Sequence, residues 1–174
     1  MDTTSTNGED PFNIDLKQLS VRWTAAQAVP ITATLNDFID RGGQLDFSVA
    51  IDFTSSNGSP LQPGTLHFQS DEALNDYEET ITSIGNAVDK YNTSAEYCVW
   101  GFGAKFGDGV VRHLFQCGPD QTVKGVQGVL DAYRSVFRSG GIYMSGPTVF
   151  VKAIQAAAVR ARKHVSVLLI SFRF

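Results

Sequence analysis

Disulfide chemistry has almost no place in this chain, because only two of its 174 residues are cysteine, Cys98 and Cys117. They form neither a CxxC pair nor the framework of a stapled domain. Cys98 lies in an apolar run that predicts core packing, with both thiols reduced. Long apolar runs are also missing: the longest, such as residues 165–170, fall far short of the roughly 20 residues that span a bilayer. Direct membrane insertion is therefore not expected. Nor is there an excess of positive charge. Fourteen Lys and Arg against eighteen Asp and Glu give a net charge of −4, so nothing points to nucleic acid, whose recognition leans on clustered cations. Residues 1–10 are polar and acidic and lack the apolar core of a signal peptide. These absences predict a cytoplasmic location.

Several motifs of catalysis are absent as well. There is no G-x-S-x-G elbow. His67, His113 and His164 have no metal-type spacing, and none pairs with an obvious nucleophile. The segment 101–107 carries glycines spaced G-x-G-x-x-x-G instead of G-x-G-x-x-G, with turn sequence where a phosphate-binding helix should open. Nucleotide binding or a hydrolytic enzyme is thus the weakest of the readings considered.

What is present is a globular composition, 43% apolar and 18% charged, in a chain long enough for one domain with a core. Residues 1–15 read as an acidic, solvated tail, and 16–30 as a linker or a remnant strand, with a short strand over 16–23. The domain proper is expected over 31–174. Leu35, Phe38 and Ile39 predict a helix over 34–40, stopped by Gly42 and Gly43. Residues 45–53 alternate Leu45, Phe47, Val49, Ile51 and Phe53 with Asp46, Ser48, Ala50 and Asp52, which predicts a strand. A loop over 54–64 and a short strand over 65–69 follow. Apolar residues at helical spacing predict a helix over 71–91 with Ser70 as N-cap. The acidic stretch 71–79 then reads as the solvated, dipole-matched start of that helix, not as paired catalytic carboxylates. Residues 97–102 read as a buried strand. Val123, Val126, Leu130, Tyr133 and Phe137 mark another helix, closed by Gly140 and Gly141. Pro147 is expected in the first turn of a last helix running to about Lys163. Its basic end, Arg160, Arg162, Lys163 and His164, is read as matching the helix dipole, not as a lipid-binding patch. A final apolar strand covers 165–170. Alternating strands and helices predict an α/β fold, a mostly parallel sheet with helices on both faces.

In such sheets ligands bind beyond the carboxyl ends of the strands. Asp52 lies at such an end and opens a D-x-T-x-S pattern with Thr54 and Ser56. One carboxylate and two hydroxyls on a turning backbone are hard oxygen donors, suited to Mg²⁺, Mn²⁺ or Ca²⁺ and poorly to Zn²⁺. The same residues are also what any strand-to-helix turn uses for local hydrogen bonds.

Six ordered blocks carry a more specific signal: 38–44 and 49–60, Leu66-His67-Phe68, 101–104, 125–134, and Gly146-Pro147-Thr148. Together they closely resemble the copines, from about residue 35 to residue 170. The resemblance implies a Rossmann-like von Willebrand factor A-type domain with a metal-ion-dependent adhesion site. It implies that Asp52, Thr54 and Ser56 form the first ligand loop and that Thr148 supplies a further oxygen. It also implies a binding module and not an enzyme: the cation would meet an acidic residue of a target protein. Copine C2 domains would bring a full-length relative to phospholipid at the plasma membrane in response to calcium. One departure stands out. The family's last metal-shell Asp follows the strand matching 165–170, where this chain reads Ser171-Phe172-Arg173-Phe174. Arg173 there would repel a divalent ion. The chain is therefore expected to be truncated before the last strands, with an exposed edge prone to self-association. The alternative is a purely structural fragment that binds no metal.

Overall fold

The computed structural model describes residues 34–163 apart from Gln44 and Thr93. The strand expected over 16–23, the basic end at His164, the strand over 165–170 and Arg173 lie outside the described residues.

Thr34 caps α1 (Leu35–Asp40), its hydroxyl accepting from the Asp37 N–H while the Asp37 carboxylate accepts from the Thr34 N–H. Gly42, at φ 84°, ends the helix in a conformation that side chains resist. The alternating segment forms β1 (Phe47–Asp52), which pairs in parallel with β2 (Glu96–Phe102), Phe47 opposite Tyr97 and Asp52 opposite Phe102. Between them runs α2 (Asp76–Asp89). Short strands follow: β3 (Ala104–Lys105), β4 (Val111–Arg112), β5 (Phe115–Gln116), β6 (Val123–Lys124) and β7 (Tyr143–Met144). β5 and β6 both pair antiparallel with β2, while β4-β3-β7 make a second, antiparallel sheet. α3 (Gly125–Arg138) and α4 (Val151–Lys163) complete the order.

Both faces of the main sheet are covered, as the α/β reading requires. Period-two alternation sends Phe47, Ile51, Tyr97 and Val99 toward α2 and α3, where they join Tyr77, Ile81, Val129, Tyr133 and Val136 in the principal core. The opposite face carries Ala50 and Phe102, which meet Ala153 of α4 in a much smaller cluster. Small side chains there let the helix lie close. Arg160 of α4 reaches Asp46, on the strand's approach, at 3.7 Å, so one member of the basic cluster is ion-paired. The outer side of α4 leaves Val151, Ile154 and Val159 exposed.

Four sequence expectations are corrected. Val123 lies in β6, opposite Tyr97, and not in the helix with Val126, Leu130, Tyr133 and Phe137. Residues 65–69 are not a strand but a turn. The Leu66 N–H donates to the Asn57 carbonyl and the Phe68 N–H to that of Thr65, while the Thr65 hydroxyl bonds back to Ser59 and Gln62. α2 begins five residues later than expected. Ser70 caps only a local turn at Glu72, because a stronger start lies downstream. The Asn75 side chain accepts from the Glu78 N–H and Glu78 from the Asn75 N–H, a reciprocal cap that satisfies two orphan donors. Glu78 is therefore buried, and pairs with Arg134 of α3 at 2.6 Å, unlike the solvated residues Asp71 and Glu72. Finally, Pro147 and Thr148 precede α4, whose first helical bond runs from the Ile154 N–H to the Phe150 carbonyl. The chain before it is held extended by the bridge between Ser145 and Thr54.

The Asn75 cap is testable. Its side-chain amide also donates to the Phe68 carbonyl and the Tyr133 hydroxyl. Asn75→Ala should therefore cost about 2 kcal/mol, the upper range for a lost cap, in urea unfolding. Asn75→Asp, which keeps the acceptor and loses the donors, should fall between it and wild type.

Candidate functional site

At the end of β1 the ladder continues for one bond, Phe53 N–H to the Phe102 carbonyl. There the two chains part. Gly103 turns at φ 79° and lies so close to Thr54 that a Cβ on it would overlap the Thr54 Cγ2. Thr54 then bridges in parallel to Ser145, the Ser55 N–H donating to the Ser145 carbonyl at 2.6 Å, while the Ser145 N–H donates to the Gly103 carbonyl. Through this three-way junction the segment after β7 is delivered to the end of β1.

The four sequence-predicted residues are brought together by it. The Asp52 carboxylate accepts from the Thr54 N–H at 2.8 Å. The hydroxyls of Thr54 and Ser56 are 3.0 Å apart, and the Thr148 hydroxyl donates to that of Thr54 at 3.4 Å. Asp52 and Thr54 are buried, whereas Ser56 and Thr148 are exposed, so the cluster opens outward on the hydroxyl side. A 3-10 turn over Ser55–Asn57 sets the spacing.

Two residues that sequence reasoning did not place in the site hold it from beneath. Asn57, buried, donates from its amide toward the Asp52 carbonyl (3.3 Å), the Thr54 carbonyl (3.2 Å) and the Thr54 hydroxyl (3.3 Å). It is itself fixed by the Tyr77 hydroxyl at 3.2 Å. His67, 0% exposed, stands 2.7 Å from the Asp52 carbonyl through Nε2 and 2.8 Å from the Tyr133 hydroxyl through Nδ1. Its ring is stacked between Phe53 and Tyr77, with centroids at 5.2 and 4.1 Å. Burial drives its pKa from the ordinary 6.5 down to about 4, against the opposing pull of Asp52. Spacing could not single out His67. The available signal was chemical: an imidazole between Leu66 and Phe68 must find two polar partners if it is buried.

The donor set, one carboxylate and three hydroxyls, suits a hard divalent cation. Among the described residues no three of His, Cys, Asp and Glu gather closely enough to hold a metal, so among them an ion here finds hydroxyl oxygens and the Asp52 carboxylate. The glycine-rich segment does not form a phosphate loop: Gly101 lies within β2 and Gly103 leads into β3, not into a helix. Both cysteines are free and buried. No helix among the described residues is long and apolar enough to cross a membrane.

Comparison with known proteins gives a consistent result. The family model described as Copine matches residues 65–171, more than half of the chain. The chain is similar to nicotinic receptor-associated protein 1 of Caenorhabditis elegans, 38% identical over 142 residues that cover 79% of this chain and 22% of that protein. It is also similar to Protein BONZAI 1 of Arabidopsis thaliana, 36% identical over 132 residues, covering 74% of this chain and 22% of the relative. The chain thus spans about a fifth (22%) of the length of these curated relatives.

Proposed function

The chain belongs to the copine family, and from that premise we propose that it acts as a protein-interaction module whose contact point is a divalent cation on Asp52, Thr54, Ser56 and Thr148. The observation that carries this reading is the hydroxyl chain: oxygens from two loops far apart in sequence lie within 3.4 Å of one another beside a carboxylate at the rim of a parallel strand pair. Mg²⁺, Mn²⁺ or Ca²⁺ would leave a position on the exposed side for an acidic side chain of the partner. The name of one relative speaks of association with a receptor, which accords with a binding role. Phospholipid recruitment is a property that the resemblance attaches to C2 domains and not to this site.

Counting hydrogens indicates how the site would load. The Thr54 oxygen accepts from Thr148 and takes a share of the two Asn57 amide hydrogens, which also serve the carbonyls of Asp52 and Thr54, and it lies 3.0 Å from the Ser56 hydroxyl. Both of its lone pairs are then used. A cation on that oxygen must displace a donor, and the Thr148 bond, the longest at 3.4 Å, is the one to yield. Thr148 would then turn its own oxygen to the ion. Binding fits the site better than catalysis. A hydrolase needs a placed base, and His67 is sealed in the core with both nitrogens engaged.

Isothermal titration tests the site. Wild type should bind at least one of the three ions with a Kd on the order of 10⁻⁴–10⁻³ M, the weak range expected of a low ligand charge. Asp52→Ala should weaken binding at least tenfold. Equal binding by the two proteins defeats the reading. A wild type that binds none of the ions favours a structural fragment without metal.

A further inference from the structure

We propose that His67 is a positioning residue of the hydroxyl site, holding the backbone carbonyl of Asp52 so that the loop from Asp52 to Asn57 keeps its shape. The inference deepens the functional reading above and rests on it for the ion-binding consequence alone.

A carbonyl oxygen only accepts, so the 2.7 Å contact requires the hydrogen of His67 on Nε2. Nδ1 is then bare and accepts from the Tyr133 hydroxyl at 2.8 Å. The Tyr133 oxygen can in turn accept from the amides of Asn75 (3.2 Å) and Gln69 (3.5 Å). A single tautomer is thereby imposed by groups on α3, at the start of α2 and in the turn before it. The ring plane is imposed separately, by Phe53 and Tyr77. Tyr77 also anchors Asn57, the second donor to the same carbonyl. The circuit therefore closes: His67 to Asp52, Asp52 to Asn57, Asn57 to Tyr77, and Tyr77 back onto the His67 ring. The carboxylate and hydroxyls of Asp52, Thr54 and Ser56 all lie within the span this circuit clamps. A phenylalanine at position 67 would fill the slot between the two rings equally well. It would leave the Asp52 carbonyl with only the longer Asn57 bond, 3.3 Å. The imidazole is thus explained by what it donates, beyond what it packs against.

The experiment compares wild type with His67→Phe, His67→Gln and Tyr133→Phe by NMR without added metal, and then with Mg²⁺ alone. Wild type should show a neutral His67 ring protonated at Nε2. His67→Phe should shift the amide signals of residues 54–57 and raise their hydrogen exchange at least tenfold, while amides of α3 such as that of Val136 stay protected. His67→Gln, whose amide can donate to the carbonyl, should recover much of the protection. Tyr133→Phe removes the donor to Nδ1 while the Asp52 carbonyl keeps the hydrogen on Nε2, so it should raise exchange at 54–57 by less than His67→Phe does. Where Mg²⁺ binds, His67→Phe should weaken it by roughly 10–100-fold, the range for outer-shell partners of metal ligands. Unchanged exchange at 54–57 in both His67→Phe and Tyr133→Phe, or an Nδ1-protonated ring in wild type, overturns the inference. Failure of wild type to bind Mg²⁺, Mn²⁺ and Ca²⁺ overturns the metal reading, and the exchange comparison still decides whether His67 holds the loop. Should His67→Phe not fold, Tyr133→Phe and His67→Gln carry the same comparison.

Discussion

Gly103→Ala is expected to destabilise the protein by about 3 kcal/mol and to spread the hydroxyl site apart. Two costs combine. At φ 79° an L-residue pays roughly 1–2 kcal/mol for the left-handed conformation. The new methyl would also overlap the Thr54 Cγ2 and sit 3.2 Å from the Thr54 backbone nitrogen. An overlap of this kind in a packed interior typically costs a further 1–3 kcal/mol. Thr54 cannot retreat freely, since it bridges to Ser145, whose N–H is bonded to Gly103 itself. Gly109→Ala supplies the control. Its φ is 78°, with nothing within 4 Å of the added carbon, so it should show the conformational cost alone. Urea unfolding of the two variants separates the terms, and equal losses would mean that the contact with Thr54 is unimportant.

Acid should weaken the fold well above the range in which carboxylates titrate. In the unfolded chain His67 takes a proton near its ordinary 6.5, whereas in the folded protein burial holds the value to about 4. Above pH 6.5 neither state is protonated and stability is complete. Between 6.5 and 4 only the unfolded state gains the proton, so stability falls with pH. Below 4 both states carry it and the loss levels off. The interval corresponds to about 3 kcal/mol at ~1.4 kcal/mol per unit. Of the groups facing the ring, the Asp52 carbonyl already takes the Nε2 hydrogen, and Phe53, Tyr77 and Phe137 present aromatic rings. Only the Tyr133 hydroxyl, by turning its own hydrogen to Asn75, could meet a second ring hydrogen, and the Asp52 charge opposes burial without outweighing it. Asp37 and Asp108, held below their ordinary 3.8 by hydrogen bonds, act only at lower pH. Urea midpoints at pH 7, 6, 5 and 4 should decline through this window, and His67→Gln should flatten the slope. A wild-type profile flat from 7 to 4 would contradict the burial of a neutral ring.

These two expectations show what the amino-acid order made visible. β1 was legible because Leu45 to Phe53 alternate without a break, and α3 because its apolar positions recur at helical spacing up to Gly140 and Gly141. The start of α2 was misplaced because Ser70 and Asn75 are both good caps. Glu78, three residues after Asn75, completes a reciprocal cap that Ser70, followed by Ala73, cannot form, and the bonds of Asn75 to Phe68 and Tyr133 reinforce it. Strands two residues long carry too few positions to show a period, so the antiparallel flanks could not be foreseen. In the site, the D-x-T-x-S pattern makes Asp52, Thr54 and Ser56 visible, whereas Thr148 is reached only through the resemblance to copines. The junction of Gly103, Thr54 and Ser145 that unites them is made of backbone contacts, and Asn57 and His67 hold the loop through bonds that cross long stretches of chain. No local pattern encodes either.

The unequal covering of the sheet gives the two thiols different meanings. Cys117 lies on the heavily packed side, its N–H bonded to the Val99 carbonyl and its thiol pushed up by burial. Cys98, by strand alternation, faces the thin contact with α4, near Arg160. A reagent that alkylates thiols therefore reads two clocks in one molecule: lifting of a single helix releases Cys98, whereas Cys117 waits for the aromatic interior to come apart.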